Sequence, residues 1–351
     1  MQDSQGKLKS FVFTGAKETC SGCGACVQVC RHHALTMQPD CEGFLYPVLN
    51  TEKCVQCGLC DIICPVTGTN TENKYDNQRC YIATTNEDIY YKESASIGIC
   101  TMLSNYFVNS GGVVFGSFLD ETNWKAYHIL VSDENGVQRI RNSKYLQSST
   151  GNTFSQVKEK LNQGITVLYI GTPCQIAGLK SFLHKPYSNL YTVDLVCHGV
   201  FSPKLMPLEI KYWEREMGGK IKNFRFRSKR VYKYINGGIV NFDLNKEGKS
   251  QHIERYAASS PSYRCYAYAG DGKHYNHRLS CYSCPFRSQH RYGDITVGDP
   301  WYIPNNVIDN KLLKSSNSIR SLYSVNTAQG EYIISFINRR SEERRVGKEC
   351  R

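Results

Sequence analysis

No stretch of this 351-residue chain approaches the roughly 18 consecutive apolar residues that a membrane-spanning helix needs. Its opening, MQDSQGKLKS, has no apolar core of the kind a secretory leader carries. Neither membrane insertion nor export is expected, and the chain is read as cytoplasmic. Disorder is excluded by composition: 40% of the residues are hydrophobic and 21% charged, enough at this length for about two domains. Acidic residues are the scarcer sign, 31 against 43 basic ones, and the formal charge of +12 resembles that of a nucleic-acid binder. Cysteine, by contrast, is abundant. In a reducing compartment 17 cysteines point to metal or redox chemistry and away from a disulfide framework.

The last twelve residues, Arg340 to Arg351 (RSEERRVGKECR), match the translation of a widely used sequencing adapter, and residues 340–351 are set aside as a processing scar. The alternative is a solvated charged tail. Without this segment the charge is about +10 with 16 cysteines, and the natural chain is expected to continue past Arg339.

Cysteine density divides the rest. Nine of the 17 cysteines lie from Cys20 to Cys64, eight of them in two regularly spaced sets, followed by the polar run Thr67 to Arg79, which has the composition of a linker. The expected organisation is a cysteine-rich domain over 1–72, a linker at 73–79 and a second domain over 80–339. In the second domain helices are expected at Gly98 to Asn109, Phe154 to Asn162 and Gln175 to Leu183, and strands at Gly112 to Leu119, Ile165 to Ile170 and Tyr191 to Cys197. Strand, helix and strand from Ile165 to Cys197 make a βαβ unit, so the sheet should be at least partly parallel. From Lys222 to Tyr268 the pattern suggests β hairpins around Asn236-Gly237-Gly238.

Cys20, Cys23, Cys26 and Cys30 have the spacing C-x2-C-x2-C-x3-C, and Cys54, Cys57, Cys60 and Cys64 repeat it, closed by Pro65. This is the bacterial ferredoxin signature written twice. Three thiolates two residues apart wrap three corners of a cubane, while the fourth cysteine serves the other cluster. One 4Fe-4S centre is therefore assigned to Cys20, Cys23, Cys26 and Cys64, and a second to Cys54, Cys57, Cys60 and Cys30. Zinc has no use for a third cysteine at a further two-residue step. Arg31 stands where the second copy has Pro65, and it, His32 and His33 are read as solvated. Cys41 has no role in this scheme.

A third set is less regular. Cys174 follows one strand of the βαβ unit and Cys197 ends the other, so both should face the crevice at the carboxyl edge of the parallel sheet. Cys281 and Cys284 could complete a four-thiolate site. The plainer alternative is scattered structural cysteines, the role given to Cys80, Cys100 and Cys265.

The doubled cysteine motif, DCEGFLYP (40–47), NSKYLQS (142–148), GTPCQIAGLKSFL (171–183), VDLVCHGVFSPK (193–204) and DITVGDPW (294–301) occur in one order. The chain thereby resembles the coenzyme F-420 hydrogenase/dehydrogenase beta subunit family of iron-sulfur flavoproteins with an N-terminal two-cluster ferredoxin domain. The resemblance implies an α+β ferredoxin module followed by an α/β flavin domain with a partly parallel sheet. It also implies FAD, and a third 4Fe-4S cluster on Cys174, Cys197, Cys281 and Cys284. For the flavin it points to Ser94, Ser96 and Gly98, where a helix start would suit the pyrophosphate, and to Asn142, Ser143, Lys144 and Tyr145. The residues alone favour an ordinary helix cap and turn.

The expected function is oxidoreduction, with electrons passing between 4Fe-4S clusters and an FAD-linked hydride or organic substrate. The alternative is a non-catalytic electron-transfer subunit docked to a partner enzyme. Ferredoxin or another redox protein is the expected partner in a mainly anaerobic chemistry. No side chain is an evident acid or base, although His198 could serve in proton transfer. Arg225, Arg227, Lys229, Arg230 and Lys233 alternate with Phe224 and Phe226 as on a nucleic-acid surface, but also as in a strand with one face in the core. Three oxidised cubanes, each roughly −2 with its thiolates, would bring the charge to about +4, which removes most of the case for nucleic acid.

Overall fold

The computed structural model describes residues 9–67, 73, 77–85, 94, 95, 98–227, 239–267, 275–300, 320–336 and 341–346.

The cysteine-rich module is built on an internal repeat. Short helices at Ala25–Val29 and Leu59–Ile62 each follow a left-handed glycine, Gly24 at φ 80° and Gly58 at φ 71°. Only a residue without Cβ takes that turn at no cost, so both cysteine loops enter their helices in the same way. Between the repeats, β1 (Leu35–Pro39) and β2 (Leu45–Leu49) pair as an antiparallel hairpin. Its turn is tied by Asp40, whose Oδ1 accepts from the Glu42 and Phe44 amides at 3.0 Å each.

The second unit centres on a nine-stranded mixed sheet. Its strands are β3 (Arg79–Thr85), β4 (Val113–Asp120), β5 (Lys125–Val131), β6 (Ser148–Ser149), β7 (Val167–Gly171), β8 (Leu190–Leu195), then β12 (Ile295–Gly298), β13 (Ser321–Val325) and β14 (Ser341–Val346). Strands β4, β7, β8 and β12 are mutually parallel neighbours at the centre, and β5 with β6 is also parallel. The remaining pairs are antiparallel. The sequence expectation of a partly parallel sheet is met. Strand β14 falls within the 340–351 segment read as a processing scar and lies at the sheet edge beside β3.

The central strands are apolar on both faces because both faces are covered, as parallel sheets require. Ile99–Asn109 and Glu134–Ile140 pack with Val114, Leu168 and Val193 on one side. Thr153–Asn162 and Pro173–Leu183 pack with Phe115, Val167 and Tyr169 on the other, where Cys23 and Ala25 of the ferredoxin module join the same core. A third core lies under the antiparallel sheet of β9 (Lys220–Arg225), β10 (Ile239–Lys246) and β11 (Lys249–Tyr256), where Trp213, Phe224, Phe226 and Phe242 meet.

Several boundaries differ from expectation for local reasons. The helix expected from Gln175 begins at Pro173, because proline suits the first helical position and Gln175 Oε1 accepts from the Thr172 amide at 3.0 Å. The strand expected to end at Cys197 stops at Leu195, leaving that cysteine in the following loop. The tight turn of the β10–β11 hairpin is Glu247-Gly248, at φ 51° and 76°. Asn236-Gly237-Gly238 lies outside the described residues. The alternation around Phe224 is that of a strand with one face in the core, and Arg227 pairs with Asp299 at 2.6 Å. Lys229, Arg230 and Lys233 are outside the described residues.

Candidate functional site

The first cysteine set lines a cavity: Cys20, Cys23, Cys26 and Cys64 open on it together with Cys60, among Phe11, Val12, Met37 and Pro65. Burial is the main force on these thiols, and it pushes Cys23 up to about 12 and Cys26 well above the ordinary value. Mutual repulsion with Cys20 and Cys64 adds to it. Four thiols crowded in an apolar cavity have no charge to balance them unless a metal centre holds them as thiolates. The set therefore fits a cluster.

In the second set Cys60 is pushed up to about 11, first by burial and then by Asp61, Cys57 and Cys54. The Cys54 and Cys30 sulfurs each accept an amide, from Gln56 at 3.4 Å and Ala34 at 3.3 Å. In the crossed pattern of the motif Cys30 would join that trio. Cys26 feels Cys60, so the two cysteine sets are neighbours. Arg31, His32, His33 and Cys41 are exposed.

The third set is brought together from three segments: the helix that carries Cys174, the loop after β8, and the turn holding Cys281 and Cys284. Cys174, in the first turn of its helix, feels Cys197, Cys281 and Cys284, and is raised mainly by burial. Cys197 is exposed at the surface, yet the protein mass around it pushes the thiol up to about 12. Its sulfur accepts from the Gly199 amide at 3.4 Å, and Thr172 Oγ1 lies 3.1 Å from the Cys174 sulfur. Arg291 is a nearby cation for Cys197, and Arg287 followed by Arg291 for Cys284. Among the described residues no group of three or more His, Cys, Asp or Glu side chains is placed to hold a single metal ion. His198 is exposed.

Sequence reading missed the residues that lock the first set to the second unit. Thr150 Oγ1 donates to the Cys23 carbonyl at 2.8 Å, and Gln147 Nε2 to the Ser21 carbonyl at 3.0 Å. Gln28 Oε1 accepts from the Phe154 amide at 2.8 Å at the start of a helix. Arg278, fully buried at 0% exposure, reaches Cys20 itself. Gly22 and Gly24 permit this approach: a Cβ at Gly22 would meet Gln147 at 2.6 Å, and one at Gly24 would meet Thr150 at 2.6 Å. The signal available in sequence was slight, a basic residue three positions before Cys281.

The residues suggested for the flavin occupy two places. Gly98, at φ 85°, precedes the helix Ile99–Asn109, and the Ser94 hydroxyl donates to Thr101 Oγ1 at 2.9 Å inside that turn. Ser96 lies outside the described residues. Asn142 takes a left-handed φ of 68°. The Lys144 ammonium caps the helix Glu134–Ile140 through the Ile140 carbonyl at 3.0 Å and the Arg141 carbonyl at 2.5 Å, and burial pushes it down to about 7. Ser143 bonds to Tyr145, whose ring stands 5.6 Å from Tyr263 and 4.8 Å from Tyr266. Tyr266 in turn feels Cys197 and Cys281.

The family model for the 4Fe-4S dicluster domain matches residues 19–67. A curated relative, the coenzyme F420-dependent sulfite reductase of Methanocaldococcus jannaschii, is 24% identical over 264 residues, 68% of this chain and 40% of that protein. The chain thus spans well under half of that relative's length. Another, one of the subunits of the F(420)H(2) dehydrogenase of Methanosarcina mazei, is 23% identical over 266 residues, 72% of each. A chain of the F420-reducing NiFe hydrogenase complex of Methanosarcina barkeri, from its xenon-derivatized structure, aligns with TM-score 0.45 and 16% identity over 79% of this chain and 84% of that one. No described helix is long and apolar enough to cross a membrane. The family model for the C-terminal part of the coenzyme F420 hydrogenase/dehydrogenase beta subunit matches residues 165–344, half of the chain, and the protein belongs to that family of iron-sulfur oxidoreductase subunits.

Proposed function

We propose that the chain is an iron-sulfur flavoprotein oxidoreductase that passes electrons between 4Fe-4S centres and an FAD-linked hydride or organic substrate. The observation that carries this reading is the gathering of Cys174, Cys197, Cys281 and Cys284 beside the ferredoxin module. Cys20, Cys23, Cys26 and Cys64 would hold one centre, Cys54, Cys57, Cys60 and Cys30 the second, and the Cys174 set the third. Bound clusters supply one-electron steps and bound flavin the conversion to two.

The chain's own residues prepare for these groups. Amide and hydroxyl donors stand at the sulfurs of Cys30, Cys54, Cys174 and Cys197, where they favour thiolate over thiol. For the flavin, Asn109 at the end of its helix donates to Glu134 at the start of the next at 2.9 Å. The second helix leads away from that point, and Lys144 caps its far end. This connection favours Gly98 and Ser94 serving with Asn142, Ser143, Lys144 and Tyr145 in one site, Ser96 among them. Exposed Val55, Leu59 and Ile62 beside exposed Cys57 favour that loop as the docking point of a ferredoxin or other redox protein. Coenzyme F420 is not carried over from relatives only 23–24% identical.

A second reading, an electron-transfer subunit with no substrate of its own, is favoured by the Methanosarcina mazei relative being named as a subunit. Dye reduction by the purified protein separates the two. Turnover with NADH or a reduced deazaflavin, together with bound FAD, is the expected result; clusters without flavin and without turnover would leave only the carrier.

A further inference from the structure

Arg278 is the largest fully buried side chain in the second unit, and its guanidinium remains protonated in any protein environment. A buried cation needs an anion, or its desolvation is uncompensated. Its hydrogen bonds run from Nε to the Cys20 carbonyl at 2.6 Å, from Nη1 to Gln147 Oε1 at 2.9 Å, and from Nη2 to the Leu45 carbonyl at 3.0 Å and the Cys20 sulfur at 3.4 Å. Tyr46 covers the guanidinium face at 4.0 Å. None of these partners is a carboxylate. The one group among them that can carry a full negative charge is the Cys20 thiolate.

The backbone of Arg278 bonds into the segment that carries Cys281. Its carbonyl accepts from the Cys281 amide at 2.8 Å, and its charge is felt at Cys281 as well as at Cys20. A second contact joins the same two sets: Gly178, on the helix that carries Cys174, packs against Cys23. The second centre is on the outer side, with Cys57 exposed.

We propose that Arg278 is a positioning residue that raises the reduction potential of the centre held by Cys20 and ties that centre, in preference to the outer one, to the Cys281 site. The proposal rests on the cluster assignment of the proposed function. A fixed cation donating to a ligand sulfur favours the more negative, reduced state of the centre, and hydrogen bonds and local charge are the protein's main control over cluster potentials. It also gives the buried guanidinium its counter-charge.

The test is an anaerobic redox titration, followed by electron paramagnetic resonance, of the full chain loaded with iron and sulfide. Wild type is compared with Arg278→Gln and Arg278→Lys, and the Cys20 signal is identified by its loss in Cys20→Ala. In Arg278→Gln the reduction equilibrium of the Cys20 centre is expected to move about tenfold towards the oxidised form, about 59 mV for one electron, with the outer centre unchanged. Arg278→Lys keeps the charge but loses the fork, so a smaller shift at the same centre is expected. Unchanged potentials in Arg278→Gln, or equal shifts at every centre, would overturn the proposal. If Arg278→Gln does not retain iron, the lysine variant decides: a partial shift confined to the Cys20 centre supports the proposal, and unchanged potentials refute it. A wild-type chain with about eight irons would remove the third centre and the proposed function with it, while the effect of Arg278 on the Cys20 centre would still be readable.

Discussion

Gly178 lies directly against Cys23: a Cβ at position 178 would stand 2.9 Å from both the Cβ and the Sγ of that cysteine. Alanine in an open helix position would gain about 1 kcal/mol over glycine. Here the neighbour is a proposed cluster ligand, which cannot turn aside without leaving the metal. Overpacking costs about 1–3 kcal/mol. Gly178→Ala is therefore expected to lower the thermal midpoint and to release iron from the Cys20 centre first. A variant more stable than wild type with its full iron content would refute this contact's role.

The third set can be tested by subtraction. Cys281→Ser with Cys284→Ser should lower the iron content by about four per chain and leave both ferredoxin centres intact. Cys41→Ser, at an exposed cysteine outside every set, should leave it unchanged. Equal iron in wild type and double variant would mean that these cysteines hold no cluster.

Asp194 fastens the segment after Cys284 to β8, two residues before Val196 and three before Cys197. Its carboxylate accepts from the Tyr292 and Gly293 amides at 3.1 Å each, accepts from the Thr296 hydroxyl, and lies 3.5 Å from Arg291. Asp194→Ala would leave Arg291 and two amides without this partner, at a cost of about 3–5 kcal/mol. Denaturant midpoints should fall accordingly, with loss of the third set's iron preceding unfolding. A cost under about 1 kcal/mol, the range of an exposed ion pair, would contradict the role given to this carboxylate.

His128 is buried between Ser148 Oγ at 2.9 Å and the Ile170 carbonyl at 3.0 Å, with its ring stacked on Tyr169. Since a carbonyl only accepts, Nε2 carries the proton and Nδ1 accepts from the hydroxyl. Burial pushes the ring down to about 4, below its unfolded value near 6.5. Between those values the unfolded chain binds the extra proton, so this contribution is fully present above pH 6.5 and is lost as pH falls towards 4. Going from about pH 7.5 to about pH 5, wild type should lose about 2 kcal/mol relative to His128→Phe. Parallel stability curves for the two proteins would show that His128 does not titrate in this way.

The ferredoxin cysteines and the βαβ unit were legible because each is a local pattern: fixed spacing in one case, apolar runs separated by a capped helix in the other. Cys174 and Cys197 could be placed on one crevice because the strand-edge rule for parallel sheets works at long range, whereas Cys281 and Cys284 joined them only through their C-x2-C spacing and the family resemblance. Arg278, Gln147 and Thr150 could not, since a buried guanidinium or a hydroxyl on a distant carbonyl leaves no periodic trace. Nor could the turn at Glu247-Gly248, where a non-glycine residue takes a positive φ that its composition does not advertise. The case for a basic nucleic-acid surface weakens for a physical reason: Phe224 and Phe226 are core residues, and Arg227 is paired.

The central claim is that this family member holds three four-thiolate clusters and a flavin, and its most direct test is the content of protein purified without oxygen. Iron, acid-labile sulfide and flavin should be measured on the same sample. About twelve irons, about twelve sulfides and one FAD per chain are expected. About eight irons with no flavin would contradict the claim, leaving a two-cluster ferredoxin module joined to a domain that handles electrons in some other way.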